Sequence, residues 1–297
     1  MKLEKVLLYC AGDYCRNHFK IFSSLYDVVA VIDRNIKYSK TYIMDKPIYG
    51  PDMINQLVFE RIIIASDRED IILSAKETIK ESGYGGVVGC AKDAIVSELI
   101  LKNYSNCEKN EYTDKLGNKI YIGCNCTIKY LQLYILGGWN SVHIDNEVII
   151  KERLNGYIGG KGNHLYIGER TTIVSCYVDI AEGGNVSIGK DCMLSAEIEF
   201  YQNATHPFFD LYTEKRINTV KNINIGNHVW IGKKCGLMAG FQMGNNSIVG
   251  YGTVSSAMFG DNLIVAGNPG RVIRTDIDWT RDAIGFYNLN SISDSLF

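Results

Sequence analysis

The 297-residue chain has little proline, four residues against 29 glycines. Abundant glycine without proline excludes a collagen-like or linker composition and raises the question of where the glycines sit. An excess of either charge is missing too: 31 Lys and Arg stand against 33 Asp and Glu, a net charge of −2, and the portions before and after residue 105 are each near balance. Neither portion carries the basic footprint of a protein that binds nucleic acid or an anionic membrane. No apolar run approaches the ~20 residues that span a bilayer. The run before Asp13 is too short for a signal-peptide core, so a cytoplasmic protein with no membrane span is expected. The nine cysteines, an odd number in a long chain, do not read as a disulfide framework. Cys124 and Cys126 have no second pair at zinc spacing, so no metal is expected. A G-x-S-x-G elbow is absent, which leaves a hydrolase triad without support.

What the chain has is rhythm. Eighteen of the 29 glycines fall between residues 151 and 270. From residue 225 the sequence divides into five consecutive hexads, IGNHVW, IGKKCG, LMAGFQ, MGNNSI and VGYGTV. Each opens on an aliphatic residue (Ile225, Ile231, Leu237, Met243, Val249), and four follow it with glycine. The fifth place is mostly small or branched: Val229, Cys235, Phe241, Ser247, Thr253. IGERTT at 167, IVSCYV at 173, IGKDCM at 188 and LSAEIE at 194 share the pattern. A short fixed period marks a solenoid, and a spacing of six matches neither a helical face nor a heptad. The spacing predicts a β-helix with the first and fifth places turned inward. Glycine then serves the corners, where a Cβ would clash or φ turns positive.

These hexads resemble those of the left-handed β-helix acyltransferases, and NLIVAGNPGRVIR (262–274) is similar to the AGNPA-type finish of sugar and antibiotic acetyltransferases. The resemblance covers about residues 106–275. It is specific from 188 onward and loose between 106 and 165, where insertions such as KERLNGYIGGKGNH break the hexads. It implies left-handed coils of three hexads and a homotrimer with sites between subunits.

The repeat stops after Phe200 and resumes at Asn222, and no glycine lies between Gly189 and Gly226. A loop ejected from a rigid stack is a common place for chemistry. Its run HPFFDLYTEKRIN, followed by IGNHVWIG, looks like the catalytic stretch of hexapeptide-repeat sugar O-acetyltransferases. The resemblance implies that His206 is the general base and that Trp230 lines the same pocket. A neutral imidazole suits deprotonation of a sugar hydroxyl near neutral pH. Asp210 either orients that imidazole, binds a sugar hydroxyl or is a solvated loop carboxylate. His228, inside a hexad, reads as structural.

For the acetyl-CoA co-substrate the resemblance implies a groove along Ala239, Gly240, Ser255 and Ser256, with Lys233, Arg271 and Arg274 as phosphate partners. For the acceptor, Tyr177 stands near the place where several relatives carry an asparagine, and Arg216 is within reach of an anionic group.

Residues 1–90 alternate strands and helices. KVLLYC (5–10), DVVAVIDR (27–34), RIIIAS (61–66) and GVVGC (86–90) read as strands. Helices are expected over Tyr14–Leu25 and up to Lys80, which gives a parallel, Rossmann-like sheet. In the first turn, CAGDYC, only Gly12 of a dinucleotide fingerprint survives, with Asp33 about 20 residues on. This part, with KPIYGPDMI (46–54), resembles the N-terminal module of nucleotide-sugar acyltransferases, which implies that it binds a sugar nucleotide or positions the acceptor; a domain that only caps the solenoid is the alternative.

The fold expected is therefore mainly β. A left-handed parallel β-helix (106–275) follows a small Rossmann-like α/β domain (1–105), and a capping tail (276–297) starts as a short helix and covers the last coil or a neighbouring subunit with Trp279, Ile284 and Phe286. The function expected is acetyl-CoA-dependent O-acetylation of a sugar of a surface polysaccharide or its precursor. N-acetylation of an amino-sugar nucleotide and a non-catalytic trimeric scaffold that binds sugar nucleotides are the alternatives.

Overall fold

The computed structural model describes residues 3–35, 42–204 and 206–282. Its front part consists of β1 (Lys5–Tyr9), α1 (Asp13–Leu25), β2 (Asp27–Ile32), β3 (Tyr42–Ile43), β4 (Lys46–Tyr49), β5 (Arg61–Ile64), α2 (Glu69–Glu81) and β6 (Val87–Cys90). The sheet order is β3-β4-β2-β1-β5-β6, parallel except for the short edge pair β3–β4. Alternation along β1 explains the layering. Val6 and Leu8 pack with Cys15, Phe19 and Phe22 of α1 on one face, while Leu7 and Tyr9 pack with Ala75 and Ile79 of α2 on the other.

After α3 (Ala91–Ile95) comes β7 (Val96–Ser105), which pairs antiparallel with Thr127–Leu136. The solenoid's sheet thus takes in ten residues on the front side of the boundary expected at 105/106. Leu136 and Tyr157 share a core cluster with α1, so the front sheet and the solenoid pack directly together.

The solenoid is three-sided. One column of parallel strands runs Lys119–Ile122, Ser141–Ile144, His164–Ile167, Asn185–Ile188, Ile223–Ile225, Gln242–Met243 and Met258–Phe259. A second holds Met193–Leu194, Val229–Ile231, Ser247–Val249 and Ile264–Ala266, and a third Ile198–Tyr201, Gly236–Met238 and Val254–Ser255. In the last coils Ile225 pairs with Met243, Ile231 with Val249 and Leu237 with Ser255. Each partner stands one three-hexad turn further on, so a coil is three hexads.

The inward places are those the pattern predicts. Ile225, Val229, Ile231, Cys235, Leu237, Phe241, Met243, Ser247, Val249 and Thr253 are all buried. The two uses of glycine separate cleanly. At the second place the next coil comes too close for a side chain: a Cβ on Gly244 would run into the backbone of Gly260 and Asp261. Positive φ falls instead at the fourth place, at His228, Lys234, Gly240, Asn246 and Gly252.

Two expectations change. KERLNGYIGGKGNH does not end the stack: Ile149–Gly159 is one long strand paired with Thr127–Leu136 and Thr172–Ala181, its register shifting once at the KER run, between Ile150 and Arg153. Its Leu154, Gly156 and Ile158 alternate inward, a period-two signal masked by the charged KER run. The tail does not start as a helix: among the described residues it is irregular through Asp282. Trp279 stacks on His228 with ring centroids 4.2 Å apart and donates from Nε1 to the His228 carbonyl at 2.8 Å. Contacts of this kind fix a tail without any helical periodicity. Ile284 and Phe286 lie outside the described residues.

Candidate active site

Tyr201 ends a third-column strand, and the chain leaves the coil there to re-enter at Ile223 in the first column. The ends of the excursion are tied to the stack. Gln202 is buried, its Oε1 accepting from Ala181 N at 2.9 Å and its Nε2 donating to the Lys221 carbonyl at 3.3 Å. Asn222 Oδ1 accepts from Asn185 N at 3.0 Å. Outside the coil, residues 208–217 fold back on themselves through an isolated bridge between Phe209 and Arg216 and an Ile217 N bond to the Phe208 carbonyl.

His206 stands at the foot of this small hairpin with its side chain exposed. Asn218 Nδ2 donates to the His206 carbonyl at 2.9 Å, and Asn218 Oδ1 accepts from Phe208 N and Arg216 Nε. Asn218 therefore positions the histidine's backbone, a role with no signal in the sequence beyond its place in the loop.

Asp210 sits differently from the expectation that it orients the imidazole. Its Oδ1 accepts from Tyr212 N, Thr213 N and Thr213 Oγ1, and the Thr213 amide first, then the Thr213 hydroxyl and Tyr212 amide, hold its carboxyl below the usual range. This is an aspartate closing its own turn, which the spacing D-L-Y-T announces. Arg216 donates to Glu182 Oε1 at 2.7 Å and is thereby engaged before any acceptor arrives.

Trp230 lies in the second column, in register with Met193 and Ile248, and remains 39% exposed. The excursion carrying His206 departs from the edge between the third and first columns. That edge is the one opposite the second column, so His206 and Trp230 belong to different sides of the coil.

Above Trp230 the tail is clamped. His228 Nδ1 meets Asp191 Oδ2 at 2.7 Å and its Nε2 meets the Trp279 carbonyl at 2.9 Å. Both partners are acceptors, an arrangement that favours the imidazolium, with a proton on each ring nitrogen. Burial lowers the imidazole's pKa, but the Trp279 carbonyl, Asp191 and nearby Asp278 raise it further, and the net shift is upward. Asp191 has the opposite balance: burial raises its pKa, while His228 and Arg281 bring it below the usual value.

Four of the residues expected along the donor groove lie close together. Ala239 and Gly240 form a corner one coil from Ser255 and Ser256, and a Cβ on Gly240 would lie within 3.6 Å of the Ser256 carbonyl. Gly270, next to Arg271, approaches Ser255. The Lys221 side chain lies over Gly240, a cation at this corner that the motif did not point to. Lys233 Nζ is held by Glu197 Oε1 at 2.9 Å, which raises its pKa, and Arg271 and Arg274 are exposed on the last strand.

Tyr177 opens on a cleft of about 440 Å³ with Asn155, Glu199 and Tyr201. Gly12 and Asp33 come together in the front sheet, around a pocket of about 250 Å³. Asp33 Oδ2 accepts from Ala11 N at 2.6 Å and Oδ1 from Asn35 N at 2.7 Å, so the carboxylate braces the turn itself. Among the described residues no three His, Cys, Asp or Glu side chains converge as a metal site, and no helix is long and apolar enough to cross a membrane.

No family model matches the chain. A polysialic acid O-acetyltransferase of Escherichia coli O1:K1 / APEC is 33% identical over 124 residues, 42% of this chain and 40% of that protein. The chain spans about half the length of the curated relatives it matches. Among solved structures, the polySia-specific acetyltransferase NeuO superposes with a TM-score of 0.52 at 33% identity, covering 56% of this chain and 70% of that one. The polysialic acid O-acetyltransferase OatWY does so with 0.54 at 31% identity, covering 59% and 83%.

Proposed function

Because the chain belongs to the hexapeptide-repeat acetyltransferases, the family of these polysialic acid O-acetyltransferases, we propose that it transfers an acetyl group from acetyl-CoA to a sugar hydroxyl. The acceptor sugar would belong to a surface polysaccharide or its precursor. The observation that carries this reading is the excursion at 202–222: a left-handed parallel β-helix stays in register across it while it holds an exposed imidazole at its foot.

In this reading His206 in its neutral form takes the proton from the acceptor hydroxyl, and the oxygen attacks the thioester carbonyl. The tetrahedral intermediate collapses with cleavage of the C–S bond, and the imidazolium returns its proton to the departing thiolate. Backbone N–H groups at the coil corners are the donors for the oxyanion. Asn218 keeps the loop in place, while the Ala239–Gly240 and Ser255–Ser256 corners, with Lys221, Arg271 and Arg274, line the donor side. Lys233 would have to leave Glu197 to join them.

Since His206 and Trp230 belong to different sides of one coil, we take the site to be completed by a neighbouring copy in a homotrimer. We place the protein in the cytoplasm, a reading supported by its nine free cysteines.

The test is coenzyme A release from acetyl-CoA with a panel of sugars, for the native protein and His206→Ala. Sugar-dependent release that the substitution abolishes supports the reading. Absence of acetyl-CoA binding in both proteins overturns it, and unchanged release in the variant overturns the base assignment.

A further inference from the structure

The outward side of the third column carries an unusual surface. In register across consecutive coils stand Tyr134, Tyr157, Asp179 and Tyr201, and beside them Gln132, Asn155, Tyr177 and Glu199. At the strand spacing of ~4.8 Å the two rows make a strip ~14 Å long, and Tyr201 delivers it to the root of the His206 loop. Tyrosine rings pair along it, Tyr134 with Tyr157 at 6.1 Å and Tyr177 with Tyr201 at 5.8 Å. The strip joins two hollows. One is the 440 Å³ cleft at Tyr177; the other is a cavity of about 750 Å³ that Tyr134 and Tyr157 share with Tyr14 and His18 of α1.

Its charge is one-sided. Asp67, Glu69 and Asp93 line the larger cavity with Lys92 as the only Lys or Arg. Glu197 and Glu199 line the smaller with Arg153 alone, and Asp179 lies between. Among the described residues only Glu197 of these six carboxylates has ion-pair partners, Lys233 and Lys234. Arg216, the loop cation best suited to an anionic acceptor, is occupied by Glu182. Two oxygens in the strip, Asn155 Oδ1 and Asp179 Oδ1, are shut from solvent without a hydrogen-bond donor. Burial accordingly holds the Asp179 carboxyl above the ordinary aspartate range, against a bond from Asn203. An unmet buried acceptor is unfavourable, and the exposed Glu199 carboxylate is the acceptor that sugar hydroxyls and amines reach directly.

We propose that this strip is the acceptor groove, and that it takes an oligosaccharide that is uncharged or carries amino groups, not a polyanion. Tyrosine faces cover the apolar faces of successive sugar rings, while carboxylate and amide oxygens accept from their hydroxyl or amino groups. A polyanionic chain would set like charges against Asp179 and Glu199 at short range, which disfavours it. The inference rests on the proposed acetyl transfer for its direction, since the strip leads to His206, but it makes a separate claim about recognition.

Calorimetric titration of the full chain with maltohexaose, a chitosan hexamer and a sialic acid hexamer tests that claim, with coenzyme A release followed in parallel. The amino or the neutral hexamer is expected to bind at least about tenfold tighter than the sialic acid hexamer, with added salt narrowing the gap. Tyr177→Ala should weaken the preferred hexamer about tenfold at unchanged acetyl-CoA affinity. Asp179→Asn with Glu199→Gln, both near isosteric, should reduce the discrimination against the anionic hexamer.

Equal or stronger binding of the sialic acid hexamer overturns the inference, as does failure of all three to bind. So does discrimination that the charge substitutions leave intact in a variant with native circular dichroism. Binding in the expected order without coenzyme A release would sink the proposed transfer and leave the groove standing; efficient transfer to the sialic acid hexamer would do the reverse.

Discussion

Phe200 and His206 stand six residues apart and answer to different physics. Phe200 is fully buried in the solenoid's core, in register with Val178 before it and Leu237 after it. His206 is exposed at the foot of an excursion held by Gln202, Asn218 and Asn222, with none of the stack's pairing. The interior is a repeating problem with one repeating solution, an aliphatic or small residue at every inward place. The excursion is solved once, by particular side chains. Rigidity comes from the first and, in the proposed function, chemistry from the second, and each should fail in its own way.

The sharpest separation is at His206. His206→Ala should lower turnover by about 10²–10⁴-fold and leave the melting temperature where it was; a drop in melting temperature would mean that the loop histidine also supports the fold. Phe200→Ala should do the opposite, costing about 3–5 kcal/mol of stability in denaturant unfolding. Activity per folded molecule should fall far less than in His206→Ala. Gly244→Ala tests whether coil spacing is as strict as the buried hexads suggest. Its Cβ meets the Gly260 and Asp261 backbone, and a loss of about 1–3 kcal/mol is expected. Ala at half-buried Asn246, the fourth place of the same hexad, should cost about 1 kcal/mol, from its left-handed φ.

The smallest effect expected is at the tail clamp, and it depends on pH. His228 has its folded-state pKa above the unfolded value of about 6.5, so its contribution is full below that value and is lost as pH rises through the raised one. Asp191, whose pKa is lowered, contributes above the usual carboxylate value and loses its contribution as pH falls through the lowered one. The clamp should therefore hold between these limits and loosen toward the alkaline side, seen as faster amide exchange over residues 275–282. His228→Asn keeps a residue that tolerates the positive φ. It should remove the alkaline dependence; an unchanged profile would show that the imidazolium does not hold the tail.

The same contrast explains what the sequence disclosed. The first and fifth hexad places and four strands of the front sheet were legible, because burial repeats and repetition leaves a period; the three-hexad coil came from resemblance, and the short β3 and β4 left no signal. Ile149–Gly159 was not, because glycine and charged residues interrupt the alternation on a longer face. A buried ladder, in which Asn140 Nδ2 and Asn163 Nδ2 donate to the Oδ1 of Asn118 and Asn140, closes one corner with no pattern short enough to notice. Strand β7 has the alternation VSELIL, but nothing local says that it pairs antiparallel with the first coil. In the candidate site the histidine and tryptophan stood out through resemblance alone. Asn218, Lys221 and the tail's seat on His228 depend on single contacts across the fold, which leave no spacing to read.

The central claim is that a rigid three-sided coil presents His206 at one edge and Trp230 on the face opposite, so that a working site needs two chains. Mixing His206→Ala with Trp230→Ala under conditions of subunit exchange, and measuring coenzyme A release, tests it most directly. Random assortment in a trimer leaves about a quarter of the shared sites with both native side chains, so the mixture should release more coenzyme A than the two variants assayed separately and averaged. A mixture that never exceeds that average, with exchange demonstrated by mass-tagged subunits, would contradict the account.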